Sequence, residues 1–143
     1  MPAKSNSRKL KKPRSGGPRK AAQLHPISEE MRQWSALLEF ELLTWPNTTA
    51  KPMFGFRSFY RGRKIFAALP KSREFDPVGS LLLKFAPVPE TLLKKMENDP
   101  RLGSWAHSGR RWISFTLQSS DDLHDALWWL QQAHEHAKGR TSR

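Results

Sequence analysis

Cysteine is absent from the 143-residue chain, which excludes disulfides and metal binding through thiolate. No apolar run approaches the roughly 18 residues that a membrane-spanning helix needs, so no membrane partner is expected. The basic leader is not followed by the apolar segment of about 7 to 15 residues that marks a secretory signal, and the expected location is cytoplasmic. An organelle transit peptide is the competing reading of this acid-free leader, but its Pro and Gly content opposes the amphipathic helix such a peptide requires. Gly-rich phosphate loops are also missing, since Gly16-Gly17 lies in the leader and Gly55 and Gly62 stand alone. A chain this short has no room for a two-domain cofactor enzyme, and no cofactor is expected.

Positive charge, by contrast, is plentiful, with 25 Lys and Arg against 13 Asp and Glu for a formal net charge of +12. It is concentrated at the ends. Residues 1–24 carry Lys4, Arg8, Lys9, Lys11, Lys12, Arg14, Arg19 and Lys20 and no acid, and the last six residues add Lys138, Arg140 and Arg143. Those 8 and 3 cations leave a net charge of only +1 for residues 25–137. The composition predicts a disordered basic tail over residues 1–25, a folded unit over 26–138 and a short basic tail over 139–143. Flexible Lys/Arg segments bind polyanions by counterion release, so the leader, through Lys9, Lys11, Lys12, Arg14, Arg19 and Lys20, is a candidate for non-specific contact with DNA or RNA. A passive solubilising extension and a nuclear signal at Lys11-Lys12-Pro13-Arg14 are the competing readings.

Within the folded unit, Met31, Trp34, Leu38, Leu42 and Trp45 recur at helical spacing behind Ser28 as N-cap, and Pro46 predicts the helix end near Trp45. Met53 to Tyr60 and Arg63 to Leu69 read as two strands joined at Arg61-Gly62. A loop from Pro70 to Gly79, a short strand from Ser80 to Phe85 and a helix after Pro87 that ends at Asn98-Asp99-Pro100 follow. Arg101 to Arg111 reads as a polar stretch. In Trp112 to Leu117, alternation places Ile113, Phe115 and Leu117 on one side and Trp112, Ser114 and Thr116 on the other. The last helix is expected behind Ser120 with an apolar stripe of Leu123, Leu127, Leu130, Ala133 and Ala137. The predicted order is α-β-β-β-α-β-α, an α+β class in which a small antiparallel sheet is flanked by helices.

The run Met53-Phe54-Gly55-Phe56-Arg57-Ser58-Phe59-Tyr60, with Arg61-Gly62-Arg63-Lys64 and Ile65-Phe66-Ala67-Ala68-Leu69, resembles the signature hairpin of the TfoX N-terminal domain family. The Leu82-Leu83-Lys84 strand and the closing Leu127-Trp128-Trp129-Leu130 helix fall where that family has similar elements, and the Trp112 to Leu117 strand is similar to the MmcQ/YjbR-like proteins. The resemblance spans roughly residues 35–137. It implies a non-enzymatic domain associated with regulatory or DNA-related proteins, and it supplies no catalytic residues.

Candidate chemistry is sparse. His134 and His136 are two residues apart on the last helix and point about 200° from each other, so they make no metal pair and read as exposed helix-end histidines. Asp121, Asp122 and Asp125 suit the positive start of that helix without catalysis. Ser58 and Ser114 sit in no nucleophile elbow. The remaining constellation is basic and aromatic: Arg57, Tyr60, Arg61, Arg63, Lys64, Lys71 and Arg73 lie along the hairpin and the loop after it. Arg57, Arg61, Arg63 and Lys64 are candidate anion contacts, against a reading in which edge charges merely prevent strand pairing. Phe54, Phe56, Phe59 and Phe66 read as core. The expected function is a non-enzymatic interaction module whose basic tail contacts nucleic acid. The alternative is a small-ligand or catalytic domain using a pocket between sheet and helices, with Arg57, His107, Arg110 and Arg111 as its polar groups. A third reading, a protein partner, rests on Trp128 and Trp129, since adjacent helix positions do not both face the core.

Overall fold

The computed structural model describes residues 25–75, 77–85, 87–104 and 112–138. The leader with its predicted disorder, the loop bearing His107, Arg110 and Arg111, and the C-terminal tail lie outside the described residues.

The chain enters through a two-residue strand β1 (His25–Pro26), which pairs with β5 (Arg73–Glu74). Helix α1 (Glu29–Leu42) starts where Ser28 is extended and its hydroxyl accepts from Met31 N at 3.1 Å. Its apolar spacing buries Met31, Trp34, Leu38 and Leu42 on one stripe. The helix stops at Leu42 rather than near Trp45. Thr44 N donates to Glu41 O and Trp45 N to Leu42 O, tightening the last turn ahead of Pro46.

The sheet has six antiparallel strands: β2 (Thr48–Met53), β3 (Phe56–Arg61), β4 (Lys64–Pro70), β6 (Ser80–Lys84), β7 (Leu102–Ser104) and β8 (Trp112–Thr116), in the order β2-β3-β4-β6-β8-β7. Helix α2 (Glu90–Glu97) leads from the end of β6 to the far edge at β7, and β8 returns between them. A 3₁₀ turn (Ser120–Asp122) then opens α3 (Leu123–Ala137).

The α+β class and the antiparallel sheet flanked by helices hold, but the predicted order is too short by several strands. Met53 to Tyr60 is not one strand. Phe54 (φ 49) and Gly55 (φ 91) form a turn inside it, with β2 before and β3 after. Gly55 is required there, because a Cβ would sit 2.6 Å from Arg73 Cγ while its carbonyl accepts from Lys71, Ser72 and Arg73 N. Pro52 and Lys51 hid β2, and both suit its position on the sheet edge. The Arg61-Gly62 connection is as expected, with Gly62 at φ 61. Part of the predicted polar stretch from Arg101 is also a strand, β7, paired with β8.

The buried apolar side chains of α1 and α3 meet one face of the sheet. Phe59 and Phe66 from the hairpin, Leu81 and Leu83 from β6, and Ile113, Phe115 and Leu117 from the β8 segment share one core with α1 and with Trp129, Leu130 and Ala133 of α3. Full burial of each such side chain contributes roughly 1.5–3 kcal/mol. The expected alternation in the β8 segment is thus observed, with Ser114 and Thr116 turned the other way to bond Gly103 O and Ser80. The opposite face holds a smaller cluster of Phe56, Ala68, Phe75 and Leu82, with Phe56 and Phe75 stacked at 4.0 Å. Phe54, expected in the core, is 89% exposed because the turn aims it outward.

The stripe of α3 is rotated from the predicted one. Ala126, Trp129, Leu130, Ala133, His134 and Ala137 are buried, whereas Leu123 and Leu127 pack only at the margin. Trp129 is 2% exposed and Trp128 half-buried, as adjacency requires. The cap is Ser119 rather than Ser120. Its hydroxyl accepts from Asp121 N, and Asp122 Oδ2 reaches back to Ser119 N and Gln118 N.

Candidate functional site

Strand alternation decides what the hairpin cations do. Register pairs Pro52 with Arg57, Ala50 with Phe59 and Thr48 with Arg61, so these residues face the helices. Arg57 Nη2 lies 3.0 Å from Glu39 Oε2 of α1, and its Nε is buried with no hydrogen-bond partner among the described residues. Arg61 reaches α3: its Nη1 is 3.1 Å from His134 O, 3.3 Å from His134 Nδ1 and 3.9 Å from Glu135 Oε2.

His134 is not the exposed helix-end residue its position suggested. It is 3% exposed, between the edges of Trp45 and Phe66. Because a guanidinium only donates, Nδ1 accepts from Arg61. Nε2 therefore carries the proton and donates to Pro46 O at 3.0 Å, with Thr48 Oγ1 also at 3.0 Å. Burial pushes the imidazole below its ordinary value, and the Arg61 charge adds to the effect against the opposing bond to Pro46. The result is a neutral latch that ties the end of α3 to the corner between α1 and β2.

Arg63 and Lys64, at the β3–β4 turn, have no such partners. Both are exposed and neither forms an ion pair with any described residue. Together with Ile65, Lys84 at the end of β6, and His136 and Ala137 in the last turn of α3, they line a cleft of about 350 Å³. No acid lines it. Lys84 Nζ also lies 5.3 Å from the centre of the Trp112 ring, its cross-strand neighbour, which orients the ammonium. Lys71 and Arg73 sit at the opposite end of the hairpin, beside Gly55, so the sequence-level basic cluster is two separate groups.

A second concave region lies between the end of α2 and the start of α3, a groove of about 910 Å³. Its centre is Arg101. Nε and Nη2 grip Asp99 at 2.9 and 2.8 Å, Nη1 donates to Asp122 Oδ1 at 2.8 Å, and Nη2 also donates to Asp125 Oδ2 at 3.0 Å. The guanidinium stacks over Phe115 at 4.9 Å. The Arg101 side chain holds Asp99 below the usual carboxylate range, and the backbone bond from Gln118, with Arg101, does the same for Asp122. Asp122 and Asp125 thus answer a cation from another element as well as the helix dipole. This network of one cation and three carboxylates pins the α2–β7 turn to α3.

Among the described residues no three His, Asp or Glu are placed to hold a metal ion, and no helix is long and apolar enough to cross a membrane. Sequence reasoning missed Lys84 and His136 because each lies in an element distant along the chain from the hairpin. The one available signal was a lone Lys closing the otherwise apolar Leu81-Leu82-Leu83 run. Searches against protein-family models, curated proteins and solved structures find no match for this chain.

Proposed function

We propose that the chain is a non-enzymatic interaction module that contacts nucleic acid non-specifically through the basic cleft at the β3–β4 turn, with the cationic leader adding further phosphate contacts. The observation that carries this reading is that Arg63, Lys64 and Lys84 line one cleft with no acid among the described residues. Cations without ion-pair partners surrender no internal bond when they meet a phosphate, so their attraction is available for binding. The resemblance of the hairpin to the TfoX N-terminal domain family supports the same class. The groove around Arg101 favours ligand binding less, because its guanidinium donors and most of its carboxylate oxygens already bond each other.

The test is fluorescence anisotropy of the full chain and of Lys64→Glu/Lys84→Glu with a random duplex and a single-stranded oligomer across a salt series. The wild type is expected to show a steep loss of affinity with salt. Each lost phosphate contact is expected to flatten the slope by about 0.7–0.9. Unchanged binding by the double variant counts against the cleft and leaves the leader as the contact, whereas a wild type that binds neither probe at low salt overturns the proposal.

A further inference from the structure

We infer that the Phe54–Gly55 turn is a stacking site for an unpaired base of single-stranded nucleic acid. This rests on the nucleic-acid reading above and adds a contact at the other end of the hairpin from Arg63 and Lys64.

The residue itself is the first reason. Phe54 and Gly55, at φ 49 and 91, are the two central residues of the tight turn between β2 and β3. Two-residue hairpin turns with positive φ at both positions favour Asn-Gly or Asp-Gly, because Asn and Asp tolerate that backbone and a bulky side chain does not. Phe54 gains nothing from the core in return, since it is 89% exposed. None of the other exposed large apolar residues, such as Phe40 of α1, has a positive φ. A large ring that opposes its own backbone and stays in water does not serve the fold, and a residue held against local preference points to a function.

The surroundings are the second reason, and they decide what the ring meets. The Gly55 carbonyl accepts from Lys71, Ser72 and Arg73 N at 3.0, 2.9 and 3.2 Å, so residues 71–73 wrap the turn, and the stem of Arg73 packs against Gly55. Lys71 and Arg73 are exposed, and neither forms an ion pair with any described residue. The adjacent acid, Glu74, is buried and accepts from Ser28 N and Gly79 N at 2.8 and 2.7 Å. In the first turn of α1, Glu29 lies 3.7 Å from Arg32, and Glu30 answers the helix dipole. The cationic leader joins the fold at the same place: β1 pairs Pro26 with Arg73, and Ile27 N donates to Ser72 O at 3.2 Å. Its eight cations are therefore tethered beside this turn and not beside Arg63 and Lys64. An exposed ring among cations is the combination that binds single strands, because the cations draw the phosphates and the ring stacks on a base that a duplex keeps within its own stack. A protein hot spot, by contrast, sets its ring in a patch whose centre is depleted of charge.

The experiment measures affinity by fluorescence anisotropy for a single-stranded oligomer and for an abasic oligomer of the same length, which carries the same phosphates and no bases. The full chain is titrated at several salt concentrations. The base-bearing strand is expected to bind about tenfold tighter. In Phe54→Asn that preference is expected to vanish with the salt slope unchanged, and in Phe54→Trp to be kept. Lys71→Ala/Arg73→Ala is expected to weaken both strands alike and to flatten the slope by about 1.4. Because Asn suits the turn, the urea midpoint of Phe54→Asn is expected at or above that of the wild type, which separates loss of a contact from loss of the fold. A clearly lower midpoint shows that the ring supports the fold and overturns the inference. Equal affinity of the wild type for the two strands, or a preference that survives in Phe54→Asn, overturns it while leaving non-specific phosphate contact standing. So does dissociation of a wild-type dimer by Phe54→Asn with strand affinity unchanged, which makes a second copy the occupant. Failure of the wild type to bind either strand at low salt overturns the nucleic-acid reading itself.

Discussion

Arg101 and the Arg63-Lys64-Lys84 group are all cations on the rim of a concave surface, yet they stand in opposite electrostatic settings. Arg101 bonds three carboxylates from two neighbouring segments and is 26% exposed. Arg63, Lys64 and Lys84 bond none among the described residues. A cation that is enclosed by acids has its favourable interactions satisfied within the fold, whereas one without them keeps its field for a partner. Arg61 falls between the two, since its charge is spent on positioning a neutral imidazole. Net charge along the sequence therefore does not distinguish a structural cation from a binding one.

The comparison is broken most forcefully at Arg101. Replacing it by Met leaves three carboxylates facing one another, and the expected cost is about 3 kcal/mol in urea denaturation, with affinity for the random duplex unchanged. A loss below about 0.5 kcal/mol would show that the carboxylates rearrange into solvent. His134→Ala comes next, at about 2 kcal/mol, because it empties a buried ring site and strips Pro46 O and Arg61 of their partner.

Acid separates the two regions on one titration. His134 has a folded pKa below its ordinary 6.5, so the unfolded chain takes up the proton first. Its contribution is complete above about pH 6.5 and declines as the pH falls from there towards the folded value. Asp99 and Asp122 are depressed below their ordinary 3.8, so their contribution is complete above that value and is lost as the pH falls through the folded values. Stability followed by denaturant midpoint is expected to descend in these two steps. His134→Gln should remove the first step and Arg101→Met should shrink the second, and a single step unaffected by His134→Gln would contradict the latch. The smallest effect on stability is expected at the turn. Arg63→Glu/Lys64→Glu should shift the unfolding free energy by no more than about 0.5 kcal/mol while abolishing oligonucleotide binding, and a large destabilisation would mean that the turn cations support the fold.

Local pattern carried much of the architecture. The Ser28 cap, the Met31-Trp34-Leu38-Leu42 stripe, the tight turn at Gly62 and the alternation from Trp112 to Leu117 are all legible because each depends on residues within one element. The strands that escaped notice, β2 with its Pro52 and β7 with its three residues, have weak propensity of their own and exist because a strong neighbour pairs with them. The rotation of the α3 stripe had a similar origin. His134 reads as a polar surface residue until Arg61 and Pro46 supply its bonds, and Leu123 reads as core until the 3₁₀ turn sets the start of the helix at the margin.

The site divides along the same line. Sequence alone determined that the cations of the middle of the chain concentrate near one hairpin and that no cysteine, glycine-rich loop or paired metal ligands accompany them. Tertiary structure decided which of those cations are engaged. The twofold period of a strand turned Arg57 and Arg61 inward to Glu39 and His134, while the turn left Arg63 and Lys64 outside. It also brought Lys84 and His136 to them from β6 and α3. Electrostatic interaction depends on distance through space, and chain separation carries no information about that distance until the sheet is assembled.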